Sequence, residues 1–140
     1  MRVTFVMMGW ENLSIQYISS YLKQRGHEVQ LAYDQSLFDD KNYLSMPFLA
    51  KILDQGNNIV KQTIDTKPDL ICFSVMSVTH QWALKTAQEV KKHISVPVVF
   101  GGIHAIICPD EVIEKEQVDI VCLGEGEYAL AELLDSMGKG

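Results

Sequence analysis

Two glycine-rich turns contain the residues of this chain that are best suited to hold a ligand. One is Gly101-Gly102-Ile103-His104, which follows the apolar segment 98–100, and the other is Gly124-Glu125-Gly126-Glu127, which follows 119–123. Both apolar segments predict buried strands, and ligands of open parallel sheets bind at the carboxyl ends of the strands. Glycine has no Cβ, so a flat or bulky group can approach the backbone of such a turn closely. The spacing therefore predicts a binding edge formed by two neighbouring strands.

Loops after the first and third predicted strands bring further groups to the same edge. Together the loops combine glycine, small hydroxyl groups, apolar side chains and two imidazoles, which suits a large and mostly neutral ligand with hydrogen-bonding edges. His80 is expected on the exposed surface of the first turn of a helix. The residues predicted to contact the ligand are Gly9, Trp10, Glu11, Asn12, Leu13, Ser74, Met76, Ser77, Thr79, Gly101, Gly102, His104, Gly124 and Gly126.

Several familiar occupants of such an edge need residues that this chain does not carry. A phosphate-receiving switch domain needs an aspartate at the end of the third strand, where the chain has Phe73-Ser74-Val75. A flavin mononucleotide site needs a hydroxyl-rich loop after the first strand, where the chain has Trp10 and Glu11. A dinucleotide site needs G-x-G-x-x-G after the first strand, and the turn at 124–127 lacks the third glycine. The sequence also offers no nucleophile–base pair and no metal-ligating triad at one strand edge, so it predicts neither catalytic residues nor a metal site.

Hydrophobic periodicity places these loops in a regular alternation of strands and helices. Strands are predicted over 2–8, 28–33, 70–75, 96–100 and 119–123. Helices are predicted over 13–25, 47–66, 79–93, a short stretch from 109, and 128–137, with an interruption of the second at Gly56-Asn57-Asn58. This alternation predicts an α/β fold, a three-layer αβα arrangement around a five-stranded parallel sheet with right-handed crossovers. The flavodoxin-like (Rossmann-like) strand order 2-1-3-4-5 is expected because it is the common five-stranded solution. One domain is predicted over 1–137, and 138–140 is expected to be a tail.

Composition limits the classes of partner. The chain has 140 residues, a net charge of −6, 47% hydrophobic residues and three cysteines. A nucleic-acid partner is not expected, because such proteins carry a clustered basic face. The sequence shows no secretory signal and no apolar run long enough to span a bilayer. The odd number of widely spaced cysteines favours a reducing cytoplasm over a disulfide framework or a zinc site.

Further motifs surround the two glycine turns in a fixed order. They are Glu11-Asn12-Leu13-Ser14-Ile15, Gly26-His27-Glu28-Val29, Pro68-Asp69-Leu70, Pro109-Asp110-Glu111-Val112 and Asp119-Ile120-Val121. The whole succession resembles the N-terminal cobalamin-binding domain of radical S-adenosylmethionine enzymes. The resemblance implies cobalamin in its base-off form, with the nucleotide tail detached from cobalt and inserted into the sheet edge. It implies that Ser74, Ser77 and Thr79 hydrogen-bond to the tail, that the glycine turns leave room for it, and that Trp10, Glu11 and Met76 lie beside the corrin ring.

The chain departs from known cobalamin modules in two respects. No histidine stands in the Asp-x-His-x-x-Gly motif that supplies the cobalt ligand in the best-known modules, so the resemblance implies cobalt without a histidine ligand. The Cys-x-x-x-Cys-x-x-Cys motif of the radical enzymes is also missing. S-adenosylmethionine, the 4Fe-4S cluster and any methyl transfer or rearrangement would therefore belong to a downstream radical domain, and this chain alone is not expected to be catalytic. The alternative is a non-catalytic regulatory or interaction domain that kept the fold and lost the ligand.

Overall fold

A five-stranded parallel sheet organises the part of the chain that the computed structural model describes, residues 1–9, 12–34 and 55–139. Each strand pairs in parallel with its neighbours, and the order is β2-β1-β3-β4-β5, as the sequence predicted. The strands are β1 (Arg2–Met8), β2 (Glu28–Asp34), β3 (Leu70–Ser74), β4 (Val98–Gly101) and β5 (Ile120–Val121). Because all strands run the same way, their carboxyl ends lie along a single edge of the sheet.

Helices cover both faces of this sheet. They are α1 (Leu13–Gln24), α2 (Gln55–Asp65), α3 (His80–Lys91), α4 (Ile103–Ile107), α5 (Pro109–Ile113) and α6 (Gly126–Met137). Ile15 and Leu22 of α1 and Leu134 of α6 share one apolar cluster with the sheet. Buried side chains of α2, α3, α4 and α5 form a second cluster with the opposite side of the sheet. The two clusters confirm the predicted three-layer arrangement.

The strands β1, β3 and β4 lie in the interior of the sheet, and nearly all of their central side chains are apolar and buried. The residues Leu70, Ile71, Cys72 and Phe73 are all buried, as expected for a strand covered by helices on each side. Alternate side chains contribute to opposite clusters: Leu70 and Cys72 pack towards α1 and α6, and Ile71 and Phe73 towards α2 and α3. The alternation decides which side chains of each strand can reach a site on a given face.

The structure differs from the sequence prediction at several element boundaries. A short helix, α4, directly follows the first glycine turn, where a loop was expected, and β5 is limited to two residues. Residues 56–58 are helical within α2, so the predicted interruption there is wrong. Packing of Ile59 and Val60 against the sheet outweighs the weak helix propensity of glycine and asparagine. The predicted helix start at Pro47 lies outside the described residues.

The described helices are all too short or too polar to cross a lipid bilayer.

Candidate functional site

A cleft of about 530 Å³ opens at the carboxyl edge of the sheet, on the face covered by α1 and α6. The sheet contributes the buried side chains of Phe5, Cys72 and Val99, and α6 contributes Leu130. This volume lies within the range of about 300–1,000 Å³ that is typical of small-molecule sites. The cleft therefore extends from the exposed strand ends into the space between the sheet and its helices.

Part of the predicted site lines this cleft. Ser74 at the end of β3, both glycine turns and the first residue of α1 contribute to its wall. The predicted residues found there are Leu13, Ser74, Gly101, Gly102, Gly124 and Gly126. Asn12 lies beside them: its Nδ2 donates to Ser74 Oγ at 3.1 Å, and its Oδ1 accepts from the backbone N–H of Ile15 at 3.3 Å. Asn12 thus begins α1 as its N-cap, as predicted, and joins this helix end to the end of β3.

Gly102 holds the loops after β3 and β4 together. Its φ is +90°, and a Cβ at this position would lie 2.8 Å from both the N and O atoms of Val75 and 3.0 Å from Ser74 Oγ. The same loops are joined by a hydrogen bond from Val75 N to Gly101 O at 2.8 Å and by another from His104 N to Val75 O at 3.1 Å. Glycine is required at 102 because any side chain would clash with this backbone junction.

Gly124 has a different environment, although its φ of +79° is also in the left-handed region. Apart from its chain neighbours, none of the described residues has a heavy atom within 4 Å of the position its Cβ would occupy, so the backbone there is open to the cleft. Gly126, at the start of α6, approaches α1 closely, since a Cβ would lie 3.0 Å from Ile18 Cδ1. The second glycine turn therefore has one face available to a ligand and one packed against a helix.

The two cysteine thiols in the cleft wall carry no charge at neutral pH. Burial raises the pKa of the Cys72 thiol far above its usual range. Burial also raises the pKa of the Cys122 thiol, and the nearby charge of Glu127 raises it further. Both thiols are therefore protonated at neutral pH and behave as small apolar groups. Such a wall accepts an uncharged ring more readily than a phosphate.

The remaining predicted residues of the third and fourth strand ends lie outside the cleft lining, in the turn before α3 and in α4. Thr79 Oγ1 accepts from Met76 N at 3.1 Å and donates to Met76 O at 3.2 Å, which closes the turn 76–79. Thr79 is at the N-cap position of α3, but its side chain makes no capping bond to that helix. Ser77 Oγ lies 3.1 Å from His104 Nδ1. The hydroxyl of Thr79 is thus engaged within its own loop, and that of Ser77 is directed to His104.

The loop after β1 is described only in part. Gly9 has a φ of +88°, its N–H donates to Asp34 O at 3.0 Å, and its carbonyl accepts from the Tyr33 hydroxyl. These bonds hold the start of the loop against the end of β2. The predicted contacts of Trp10 and Glu11 lie outside the described residues.

Several cleft residues were missed by the sequence analysis. Ser14, Tyr17 and Ile18 of α1 line the cleft, and so do the buried Cys72 and Val99. Leu13 and Tyr17 are separated by four residues, so they lie on one side of α1. This spacing was visible in the sequence, but the same pattern is typical of a helix packed on a core. The sequence did not distinguish Cys72 and Val99 as cleft residues, because the core strands are all apolar and these two resemble any other core residue.

His80 is buried rather than exposed, which corrects the expectation from the sequence. Its side chain is 3% exposed, its ring lies edge-on to Phe100 with centroids 6.2 Å apart, and its centroid is 4.2 Å from that of His104. Burial lowers the pKa of His80, and the neighbouring His104 lowers it further. The Phe100 contact explains the burial, because α3 packs its first turn onto the end of β4.

Large apolar side chains remain exposed around the mouth of the cleft. Isolated apolar residues on a surface are ordinary, but several around one opening indicate a surface that a ligand or partner covers. Four of these side chains line the cleft, Leu13, Tyr17, Ile103 and Ile106, and two, Leu123 and Tyr128, are chain neighbours of lining residues. The cleft and its rim together form a largely apolar recess, with polar backbone at the glycine turns and with Glu125 and Glu127 also in the lining.

Comparisons with known proteins agree with this geometry. The model of the B12 binding domain family matches residues 6–134. The chain is 26% identical over 134 residues to the anaerobic magnesium-protoporphyrin IX monomethyl ester cyclase of Rubrivivax gelatinosus, covering 94% of this chain and 21% of that protein. It is 27% identical over 88 residues to the 4'-phospho-dehydrooxetanocin synthase of Priestia megaterium, covering 59% of this chain and 12% of that protein.

The chain thus spans about a fifth or less of the length of these two curated relatives. No solved structure shows significant similarity to it. The family match covers both glycine turns, the strand ends that form the cleft and nearly all of the sheet. The protein is therefore a member of the B12 binding domain family.

Proposed function

We propose that this chain binds cobalamin at the carboxyl edge of its sheet, with the nucleotide tail of the cofactor in the cleft. The observation that carries the proposal is the cleft of about 530 Å³ between α1, α6 and the glycine turns. It is large enough for a flat aromatic base and is lined inside by Phe5, Val99 and Leu130. An apolar recess of this kind favours a neutral ring system that leaves water.

The polar groups at the cleft suit the sugar and linker of such a tail. Ser74 Oγ lies at the cleft wall and is already oriented by Asn12 Nδ2. The open backbone of Gly124 offers peptide groups without a side chain in front of them. Ser77 and Thr79, which were predicted to bind the tail, have their hydroxyl groups engaged with His104 and Met76. We therefore assign the tail to Ser74 and the glycine turns rather than to Ser77 and Thr79.

We infer that the corrin ring lies over the exposed apolar rim of the cleft and that cobalt has no histidine ligand from this chain. None of the four histidines, all of which are in the described ranges, lines the cleft. Met76 is half exposed, and we assign it to the corrin surface together with Trp10 and Glu11, whereas His104 faces Ser77 instead. When bound, cobalamin supplies a cobalt centre that can carry a methyl group or another group from which a radical forms. The residues of this chain hold and orient the cofactor and shield its tail from water.

The lengths of the relatives support a second part of the proposal, which concerns a larger protein. The two relatives are enzymes by name, and each is several times longer than the matched segment. We propose that the chain is the cobalamin module of a cytoplasmic protein that contains a radical S-adenosylmethionine domain. That domain would hold S-adenosylmethionine and the 4Fe-4S cluster and would cover the apolar rim from above.

A binding experiment with two corrinoids tests the location of the tail. The chain is mixed with hydroxocobalamin or with cobinamide, which lacks the nucleotide tail, and is then desalted. We expect a coloured protein with the absorption band of base-off cobalamin, and binding of cobinamide at least about 10-fold weaker, since the tail contacts are lost. The electron paramagnetic resonance spectrum of the cob(II)alamin form should show no splitting from a coordinated nitrogen.

A matched pair of variants tests whether the tail lies in the cleft. Ser14 and Ser20 are both exposed on α1, but only Ser14 lines the cleft. Ser14→Trp should weaken cobalamin binding at least about 10-fold and leave cobinamide binding unchanged, whereas Ser20→Trp should affect neither. Equal effects of the two variants on cobalamin binding would rule out the cleft as the site of the tail. A chain that stays colourless and is not stabilised by excess cobalamin would favour the alternative, an interaction domain that has lost the ligand.

A further inference from the structure

We propose that His80, His104 and Glu111 form a binding site for one divalent transition-metal ion, of which Zn²⁺ suits the ligand set best. The sequence analysis predicted no metal site, because it found no metal-ligating triad at one strand edge; these three residues are separated by 24 and 7 positions in the chain. The proposal rests on the imidazole cluster alone. It is independent of whether the cleft holds cobalamin.

Three helix starts bring the ligand atoms together. His80 is the first residue of α3, His104 the second of α4, and Glu111 the third of α5. One ligand atom from each residue can be chosen so that all three lie within 4.8 Å of one another. A metal ion at their centre would need only small side-chain movements to reach bonding distances of about 2.0–2.2 Å.

The buried imidazole nitrogens point to a missing ligand. Both ring nitrogens of His80 and Nε2 of His104 are buried and make no hydrogen bond. His80 is 3% exposed, so water has little access to it. Buried polar atoms in folded proteins are nearly always paired, and an orphaned group needs an explanation such as an ion. One metal ion bound by both imidazoles would satisfy an otherwise unpaired nitrogen on each ring.

The second nitrogen of His104 is held as metal-bound histidines usually are. Ser77 Oγ lies 3.1 Å from His104 Nδ1, which leaves Nε2 as the nitrogen available to a metal. A hydrogen bond to the other ring nitrogen fixes the tautomer and orients the ring in most metal sites. The edge-on contact with Phe100 at 6.2 Å likewise restricts the ring of His80. Both rings are thus held in place by groups that do not compete for the metal.

The ligand chemistry selects the type of ion. Two imidazole nitrogens and one carboxylate oxygen match zinc sites that have three protein ligands and one open position. Ca²⁺ and Mg²⁺ prefer oxygen ligands, so the two imidazoles disfavour them. Glu111 is exposed and provides a route from solvent, and its charge partly offsets that of the ion. Lys115 also acts electrostatically on His80, so it should weaken metal binding.

Titration of the cobalamin-free chain tests the site. After removal of metals with EDTA, ZnCl₂ is added in a calorimeter, and Co²⁺ is used as a spectroscopic probe of tetrahedral nitrogen and oxygen ligation. We expect one Zn²⁺ per chain. His104→Gln and Glu111→Gln should each weaken binding at least about 10-fold, and Ser77→Ala, which removes the partner of Nδ1, should weaken it by about 10-fold. Lys115→Gln should strengthen it.

The matched control is His93→Gln, since His93 is an exposed histidine near the end of α3, away from the cluster. This variant should bind Zn²⁺ as the unmodified chain does. Because His80→Gln changes the core, the test uses the variants at 104 and 111, checked for folding by circular dichroism. Binding that is absent from the unmodified chain, or unchanged in both variants, overturns the proposal. If the chain fails to bind cobalamin, the outcome of the Zn²⁺ titration does not change, so the two proposals are tested separately.

Discussion

At the scale of single residues, Gly102 is the position that the structure constrains most tightly. Its φ of +90° and the 2.8 Å approach to the Val75 backbone exclude any side chain. Its neighbour Gly101 differs, because a Cβ there would make ordinary contacts with Cys122, at 3.5 and 3.7 Å. Two adjacent glycines therefore have different roles: one fixes the junction of two loops, and the other leaves space in the cleft wall.

The stability of two alanine variants should separate these roles. Gly102→Ala should lower the free energy of unfolding by at least about 2 kcal/mol, because it adds a left-handed alanine and a clash with Val75. Gly101→Ala should change it by less than about 1 kcal/mol, since its backbone has no positive φ. Urea denaturation of both variants measures the difference. Equal losses would contradict the assignment of the junction to Gly102.

At the scale of secondary-structure elements, α1 and α6 form the outer walls of the cleft. Their distal ends are joined by an ion pair between Arg25 Nη2 and Asp135 Oδ2 at 2.7 Å, and His27 Nε2 lies 3.5 Å from the same carboxylate. Tyr21 and Tyr128 meet edge-on with centroids 5.3 Å apart. The Asn12–Ser74 bond fixes the other end of α1 to β3. These contacts set the width of the cleft, although each alone contributes little.

The α1–α6 ion pair predicts a specific pH dependence. The hydrogen bond from Arg25 holds the pKa of the Asp135 carboxyl below its usual value. A depressed folded-state pKa means that the stabilisation is present above the unfolded pKa and is lost as pH falls through the folded one. Asp135→Asn should lower Tm at pH 7 by less than about 3 °C, and the difference should vanish as pH falls through the depressed folded-state pKa of Asp135.

Glu132→Gln is the matched control for this prediction, because Glu132 is exposed on the same helix, three residues before Asp135. Its Tm should follow that of the unmodified chain throughout the pH range. The measurement is a set of thermal melts at low salt, where the ion pair is least screened. A difference between Asp135→Asn and the unmodified chain that persists at pH 2 would contradict the linkage argument.

At the scale of the whole molecule, the two proposed sites lie on opposite faces of the sheet, and α4 contributes residues to both. Ile103 and Ile106 line the cleft, while His104 belongs to the imidazole cluster. The cleft lies on the face covered by α1 and α6, and the second apolar cluster with α3 and α5 lies on the other face. A short helix that directly follows a glycine turn therefore positions residues for both sites.

Cofactor binding should appear as stabilisation of the entire domain. A ligand that binds only the folded state stabilises it by about 2.7 kcal/mol at a free concentration 100 times Kd. For a chain of 140 residues we expect cobalamin to raise Tm by on the order of 10 °C, and cobinamide to raise it less. Thermal melts over a range of ligand concentrations measure the effect. A Tm that does not depend on cobalamin concentration would contradict binding to the folded domain.

Much of the fold could be predicted from the chain because its signals are local. Nearly all-apolar runs such as 2–8 and 70–74 indicate buried parallel strands, and Asn12 and Gly26 mark the two ends of α1. The sheet order followed from the fold class and was confirmed. The glycine turns predicted a binding edge, and both of them line the cleft, because left-handed backbone and close approach both require the absence of a Cβ. The helix α4 could not be predicted, since five residues carry too little periodicity.

The sequence by itself thus determined that there are five strands and where the glycine turns lie, and with them the resemblance to the family of the chain. Tertiary structure alone decided that Cys72 and Val99 line the cleft and that Thr79 closes its own turn. It also decided that His80 is buried against Phe100 and lies beside His104, 24 residues further along the chain. The physical reason is that periodicity reports which residues are buried, whereas the packing of helices on the two faces of the sheet determines which buried residues meet.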